Sequence, residues 1–255
     1  MPTELRLDDH RAAIAAAAEV LLDAAGKAGL DAPVPTCPAW DVRALVTHQG
    51  MVHRWAAANL RGDKSHRTAD STGEAAVAPD LLVWFSEGVE VLLGAIREAA
   101  HDVNAMVFLK DAPPPRRFWA RRQAHETTIH GVDAVAAALG EWPAAADLAI
   151  APELAVDGID ELLCGFITRG KGKLRADEPY TIAVTLDDDA HGWVVTVGED
   201  SVVTRTGRVA RADATFSGSA VQLYAGLWNR GDEIVSSGRP DVLEAWRSQV
   251  RVRWS

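Results

Sequence analysis

The apolar positions of the first half recur at helical intervals. Ile14, Ala17, Val20, Leu21 and Ala24 lie three or four residues apart and predict a first helix over about residues 4 to 27. Gly29 and the Pro33-Val34-Pro35-Thr36-Cys37-Pro38 run end it, because closely spaced prolines exclude regular helix and make a rigid connector. Asp41 is a good N-cap for a second helix through Val42, Leu45, Val46, Val52 and Trp55 to about Leu60. The stretch from Arg61 to Ala78, with Gly62, Asp63, Ser65, Asp70, Ser71 and Gly73, reads as a long exposed loop suited to binding substrate. Leu82, Phe85, Val89, Leu92, Leu93 and Ile96 define a third helix, about Pro79 to Ala100. Met106 to Phe108 is expected to be extended. After Pro113-Pro114-Pro115 a fourth helix runs from about Arg116 to Leu139 and stops at Gly140.

Beyond Trp142-Pro143 the period changes. A fifth helix is expected over about Pro152 to Thr168, followed by the Gly170-Lys171-Gly172-Lys173 turn. Tyr180 to Leu186 alternates in polarity, Asp187 to Gly192 reads as a hairpin turn, and Trp193 to Val197 answers the first strand. Ser201 to Arg205 and Ala214 to Phe216 read as further strands, with short helices at Ser219 to about Asn229 and Asp241 to about Val250. The expected architecture is mainly α: a four-helix bundle over residues 1–143, then a small α+β domain over 150–255.

Composition narrows the function classes. The 255 residues carry a net charge of −10 and a pI near 5.2, which argues against nucleic acid, whose phosphates require clustered Lys and Arg. No apolar run approaches the roughly 20 residues of a membrane span. With two cysteines, Cys37 and Cys164, and no signal peptide, the expected location is the cytoplasm. Monomer and homodimer are both open.

The candidate chemistry lies in Arg121-Arg122-Gln123-Ala124-His125-Glu126-Thr127-Thr128-Ile129-His130-Gly131-Val132-Asp133-Ala134. Glu126 and His130 are one helical turn apart, so a carboxylate oxygen and a ring nitrogen can aim at one point. His125 points elsewhere. Catalytic zinc usually takes three protein ligands and keeps a fourth position for water or substrate. His48, three residues after Leu45 and near the apolar face of the second helix, is the natural third ligand.

Two segments carry a family resemblance: Val34-Pro35-Thr36-Cys37-Pro38-Ala39-Trp40-Asp41-Val42-Arg43-Ala44-Leu45-Val46-Thr47-His48, and His125 through Ala134. Together they resemble the mycothiol-dependent maleylpyruvate isomerase family of the DinB-like superfamily, over nearly the whole chain. Ala214 through Ala220 and Leu227-Trp228-Asn229-Arg230 look like that family's second domain, which is similar to sterol-carrier-like folds. The resemblance implies a divalent metal, usually zinc, on His48, Glu126 and His130, and a thiol, mycothiol, as cofactor or cosubstrate. It further implies that a metal-bound thiolate adds to an electrophilic cis double bond, that the resulting single bond rotates, and that elimination gives the trans isomer and regenerates the thiol. A substrate carboxylate would meet the family's second-domain arginine, which corresponds to Arg230, with Asn229 where glycine is more usual. Relatives also include thiol S-transferases, so isomerisation, S-transfer, a step of secondary metabolism and non-catalytic thiol binding all remain open.

Taken singly, the same residues have plainer readings. His48 is a hydrogen-bonded core histidine, and Glu126 with His130 a surface pair. Cys37 is a buried structural cysteine. His53, five residues from His48, faces away and serves packing or the bundle surface, as does Trp55. Arg116, Arg117, Arg121 and Arg122 are solvated or receive anionic groups. Asp133 orients a ligand histidine or lies on the helix surface. Trp193, Trp228 and Trp246 build the second domain's core.

Overall fold

A computed structural model describes residues 4–109, 111–170, 173–187 and 192–250. The chain divides into two compact units, one formed by Leu5–Phe108 and Pro113–Pro143, the other built mainly from the chain after Pro143.

The first unit is helical: α1 (Leu7–Ala28), α2 (Val42–Arg61), α3 (Thr68–Val77), α4 (Leu81–Glu98) and α5 (Pro115–Leu139). Four of these make the bundle. α1 packs on α5, α2 on α4 and α5, and α1 on α4. Local chemistry sets their ends. The Asp41 carboxylate accepts from the backbone N–H of Ala44 at 2.7 Å, and Asp80 accepts from Leu82 and Val83 at 2.9 and 3.1 Å, so each satisfies N–H groups that the first helical turn leaves unpaired. Gly62 and Gly140 close α2 and α5 in the left-handed conformation that glycine takes without steric cost. Two further glycines set helix spacing. A Cβ at Gly50 would lie 2.3 Å from the Trp84 ring where α4 crosses α2, and one at Gly131 would lie 3.4 Å from the carbonyl of Ala17 on α1.

Several sequence expectations are corrected in this unit. The stretch from Arg61 to Ala78 is not a loop throughout, because Thr68–Val77 forms α3 against α2. Between Gly62 and Ala78 no proline interrupts the chain, and Ser71 and Ala75, one turn apart, supply a narrow buried stripe beneath an otherwise polar surface. Met106 to Phe108 joins no sheet. The Met106 carbonyl instead accepts from the Trp119 indole at 3.0 Å, and Phe108 packs among Trp55, Phe118 and Trp119.

The second unit holds α6 (Pro152–Asp160), β1 (Tyr180–Leu186), β2 (Gly192–Val197), β3 (Val202–Thr206), β4 (Ala214–Gly218), α7 (Ala220–Leu227), β5 (Val235–Gly238) and α8 (Asp241–Gln249). The sheet runs β3-β2-β1-β4-β5, parallel only between β1 and β4. The expected fifth helix stops being α-helical at Asp160 and continues as a wider π turn over Glu161–Phe166. β5 has no apolar alternation to announce it, since all four of its residues are exposed. The three tryptophans enter the core as expected. Trp193 donates to Asp160 at 3.1 Å, Trp246 donates to the Leu227 carbonyl at 3.0 Å, and Trp228 packs on Phe166. Most of the expected Asp187 to Gly192 turn, and Lys171 with Gly172, lie outside the described residues.

Candidate metal centre

α5 is the element that carries the site. From Phe118 to Ala134 every residue is buried, so this helix has no solvent face along that stretch. Its polar residues must therefore be satisfied inside the protein. Glu126 and His130 face His48 of α2. His130 Nε2 lies 3.4 Å from Glu126 Oε1, and His48 Nε2 lies 3.8 Å from the same oxygen. One ligand atom from each residue falls within 4.8 Å of the other two. Three donors each about 2.1 Å from a tetrahedral zinc ion are about 3.4 Å apart, so the pairs at 3.4 and 3.8 Å fit a shared ion with little adjustment. Two nitrogens and a carboxylate oxygen are also a donor set that catalytic zinc accepts. His48 Nε2 and Glu126 Oε1 are buried and make no hydrogen bond among the described residues. A cation between them would satisfy both.

The surroundings order this trio. The Asp133 carboxylate accepts from His130 Nδ1 at 2.9 Å, which turns Nε2 toward Glu126 and His48. Asp133 is itself fully buried and is held by the connector before α2. The Thr36 hydroxyl donates to Oδ1 at 2.6 Å, and the Cys37 thiol lies 3.6 Å from Oδ2. Cys37 is half-buried, less enclosed than the buried structural cysteine expected. The Trp40 ring, from the same connector, lies 4.9 Å from the His48 ring and 5.7 Å from that of His130. The proline-rich segment thus folds onto the two histidines. On the other side, Arg122 donates to Glu126 Oε2 at 2.9 Å.

These contacts shape the charges. Burial alone would raise the Glu126 carboxyl, but the imidazoles of His130 and His48 and the Arg122 guanidinium outweigh it and hold the group well below the usual carboxylate range. Burial alone would lower His130, yet Asp133 and Glu126 carry it up to about 9 in the metal-free protein. Burial pushes His48 down, with Glu126 only partly offsetting the effect.

The orienting role of Asp133 has a measurable consequence. Asp133→Asn keeps the shape but removes the charge that fixes the His130 tautomer, and metal affinity is expected to fall roughly 10- to 100-fold. Competition titration against a chromophoric chelator measures this directly; wild-type affinity in the variant would remove Asp133 from the site.

Two other sequence expectations change. His53 does not face the bundle surface; it is fully buried, with Nε2 2.7 Å from Gln49 Nε2 and 2.9 Å from Thr127 Oγ1. Arg121 and Arg122 are buried, not solvated, while Arg116 donates to the carbonyls of Ile96 and Arg97, and Arg117 to that of Leu5. Arg230, in the second unit, follows Asn229, whose φ of 58° is the left-handed conformation that glycine adopts without steric cost. Asparagine is among the few other residues that adopt it readily, and Asn229 Nδ2 ties the turn to the Val250 carbonyl at 2.7 Å. The Arg230 guanidinium donates to the Trp228 carbonyl at 3.0 Å.

Residues 10–135 match the family described as the mycothiol maleylpyruvate isomerase N-terminal domain, and residues 153–245 match the C-terminal domain of the same family. The chain belongs to the mycothiol-dependent maleylpyruvate isomerase family. The crystal structure of a mycothiol-dependent maleylpyruvate isomerase superposes with a TM-score of 0.62 at 16% identity, covering 93% of this chain and 96% of that one. A histidine-to-alanine mutant of the mycothiol-dependent maleylpyruvate isomerase gives the same score and coverage at 14% identity. At such identities the likeness establishes the fold: a mainly α protein with a helical bundle followed by a small α+β part. No curated protein matches in sequence. Among the described residues no helix is long and apolar enough to cross a membrane.

Proposed function

We propose that this protein is a metal-dependent enzyme that uses a small thiol, mycothiol, against an electrophilic small-molecule substrate, with cis–trans isomerisation as its reaction. One observation carries the reading. His48, Glu126 and His130 converge in a buried site, and the facing atoms of His48 and Glu126 have no hydrogen bond among the described residues. Membership of a mycothiol-dependent family supports the choice of thiol. Zinc is an ion that a two-histidine, one-carboxylate donor set holds in catalytic sites.

His48, Glu126 and His130 would hold the ion. When bound, a divalent ion there supplies Lewis acidity that lowers a thiol's pKa, so that thiolate is available near neutral pH. The rest is the work of the protein. Asp133 keeps a proton on His130 Nδ1 and so presents Nε2 as a donor. Trp40 walls the two imidazoles, which strengthens electrostatic interactions by limiting water. Arg230 is the proposed partner of a substrate carboxylate, a role that planar two-point hydrogen bonding suits.

The test is elemental analysis of the purified protein, followed by mycothiol titration with and without a chelator. About one zinc or similar ion per chain is expected, with thiol binding abolished by chelation and restored by zinc. A folded, zinc-supplemented protein that binds neither metal nor mycothiol would overturn the proposal. If thiol is consumed in proportion to product, the reaction is S-transfer; if it is regenerated, isomerisation stands.

A further inference from the structure

We propose that Arg122 confines Glu126 to ligation through one oxygen, and thereby keeps coordination positions open for an incoming thiol. This rests on the metal-site reading given above. The two oxygens of Glu126 are not equivalent. Oε2 accepts a hydrogen bond from Arg122 Nη2 at 2.9 Å, whereas Oε1 makes none among the described residues and faces His130 and His48 at 3.4 and 3.8 Å. Arg122 and Glu126 are one turn apart on α5, and the side chains are 0% and 4% exposed. Their pairing is therefore shielded from water, where a charge-assisted hydrogen bond is stronger and a lost partner is costly.

The consequence follows from coordination chemistry. A carboxylate beside a small divalent ion can bind with one oxygen or with both, and a second oxygen occupies space otherwise left to water or substrate. With Oε2 held by Arg122, only Oε1 is available to the ion. Two histidine nitrogens and one oxygen then leave a tetrahedral ion one position short, which is the arrangement of catalytic rather than structural zinc sites. The buried position of Arg122 also decides against its serving as a receptor for substrate anions, since its side chain has no solvent exposure. It is a positioning residue that acts through Glu126.

Arg122→Met removes the donor and the charge at similar length; Arg122→Lys keeps both. The experiment is X-ray absorption spectroscopy on the zinc-loaded proteins, with mycothiol affinity read in cobalt-loaded samples from thiolate-to-cobalt absorption. In Arg122→Met the zinc should gain about one oxygen neighbour and mycothiol affinity should fall roughly tenfold or more, while Arg122→Lys stays near wild type. An unchanged first shell with unchanged thiol affinity in Arg122→Met would overturn the proposal, and so would outright loss of metal, because the freed carboxylate should gain contacts to the ion. Should Arg122→Met fail to fold, Arg122→Leu, which likewise carries no donor, is measured in the same way, and the same results support or overturn the proposal. A wild-type protein that takes up no metal would instead sink the metal-site reading itself.

Discussion

His130→Ala is expected to yield a folded protein that is purified nearly free of metal, with affinity for zinc reduced by more than about 100-fold and no thiol-dependent turnover. The substitution removes one of three proposed donors and, at the same stroke, the group through which Asp133 acts on the site. What remains is Glu126 and His48, whose facing atoms are 3.8 Å apart, and two donors hold zinc poorly against water and chelators. Some stability is also lost. Asp133 keeps its bond from Thr36 but loses the one from His130, a change worth about 1–3 kcal/mol for a buried acceptor. Elemental analysis and circular dichroism on the same sample read both effects, with His101→Ala on the exposed surface as the control that retains metal. Full metal content in folded His130→Ala would remove this residue from the proposed ligand set.

Acid should weaken the bundle through His53, independently of the metal. Burial first of all, and then the neighbouring Arg54, pull this imidazole from 6.5 down to about 3, so it is neutral in the folded chain and protonated in the unfolded one across that interval. The sign follows from linkage: the folded-state pKa is depressed, so the contribution of His53 is fully present above pH 6.5 and is lost as pH falls toward 3. At roughly 1.4 kcal/mol per pH unit the loss between these limits reaches about 5 kcal/mol. Urea unfolding between pH 7.5 and 5, with chelator present throughout, should show the wild type losing stability faster than His53→Gln, which keeps hydrogen-bonding capacity without titrating near these pH values. Parallel curves would mean that water reaches the ring and that its burial is not maintained in solution.

Most helix ends could be placed from the sequence because their causes are local. Asp41, the prolines up to Pro115 and Gly140 act on backbone groups within a few residues, and each sits where the structure begins or ends a helix. The facing of Glu126 and His130 is local for the same reason, since one helical turn sets it whatever surrounds the helix. α3 was hidden because its buried stripe is only Ser71 and Ala75, too small to stand out in a polar segment.

Side-chain environment was another matter. Periodicity assumes that a helix has one wet face, and α5 has none between Phe118 and Ala134, so Arg121 and Arg122 read as surface residues though both are buried. α2 packs against α4 and α5 at once, which buries Gln49, Gly50, Val52 and His53 together, a wider arc than a single apolar stripe covers. The sequence by itself determined the helical bundle, the α+β part and the pairing of Glu126 with His130, because these follow from periodicity and from contacts within a turn. Only the tertiary structure decided that His48 meets that pair, that Asp133 is held by Thr36 from 97 residues away, and that Arg122 takes one oxygen of Glu126. Those contacts depend on which faces the packing dehydrates, and a buried charge selects its partner from whatever the surrounding helices and connectors bring within reach.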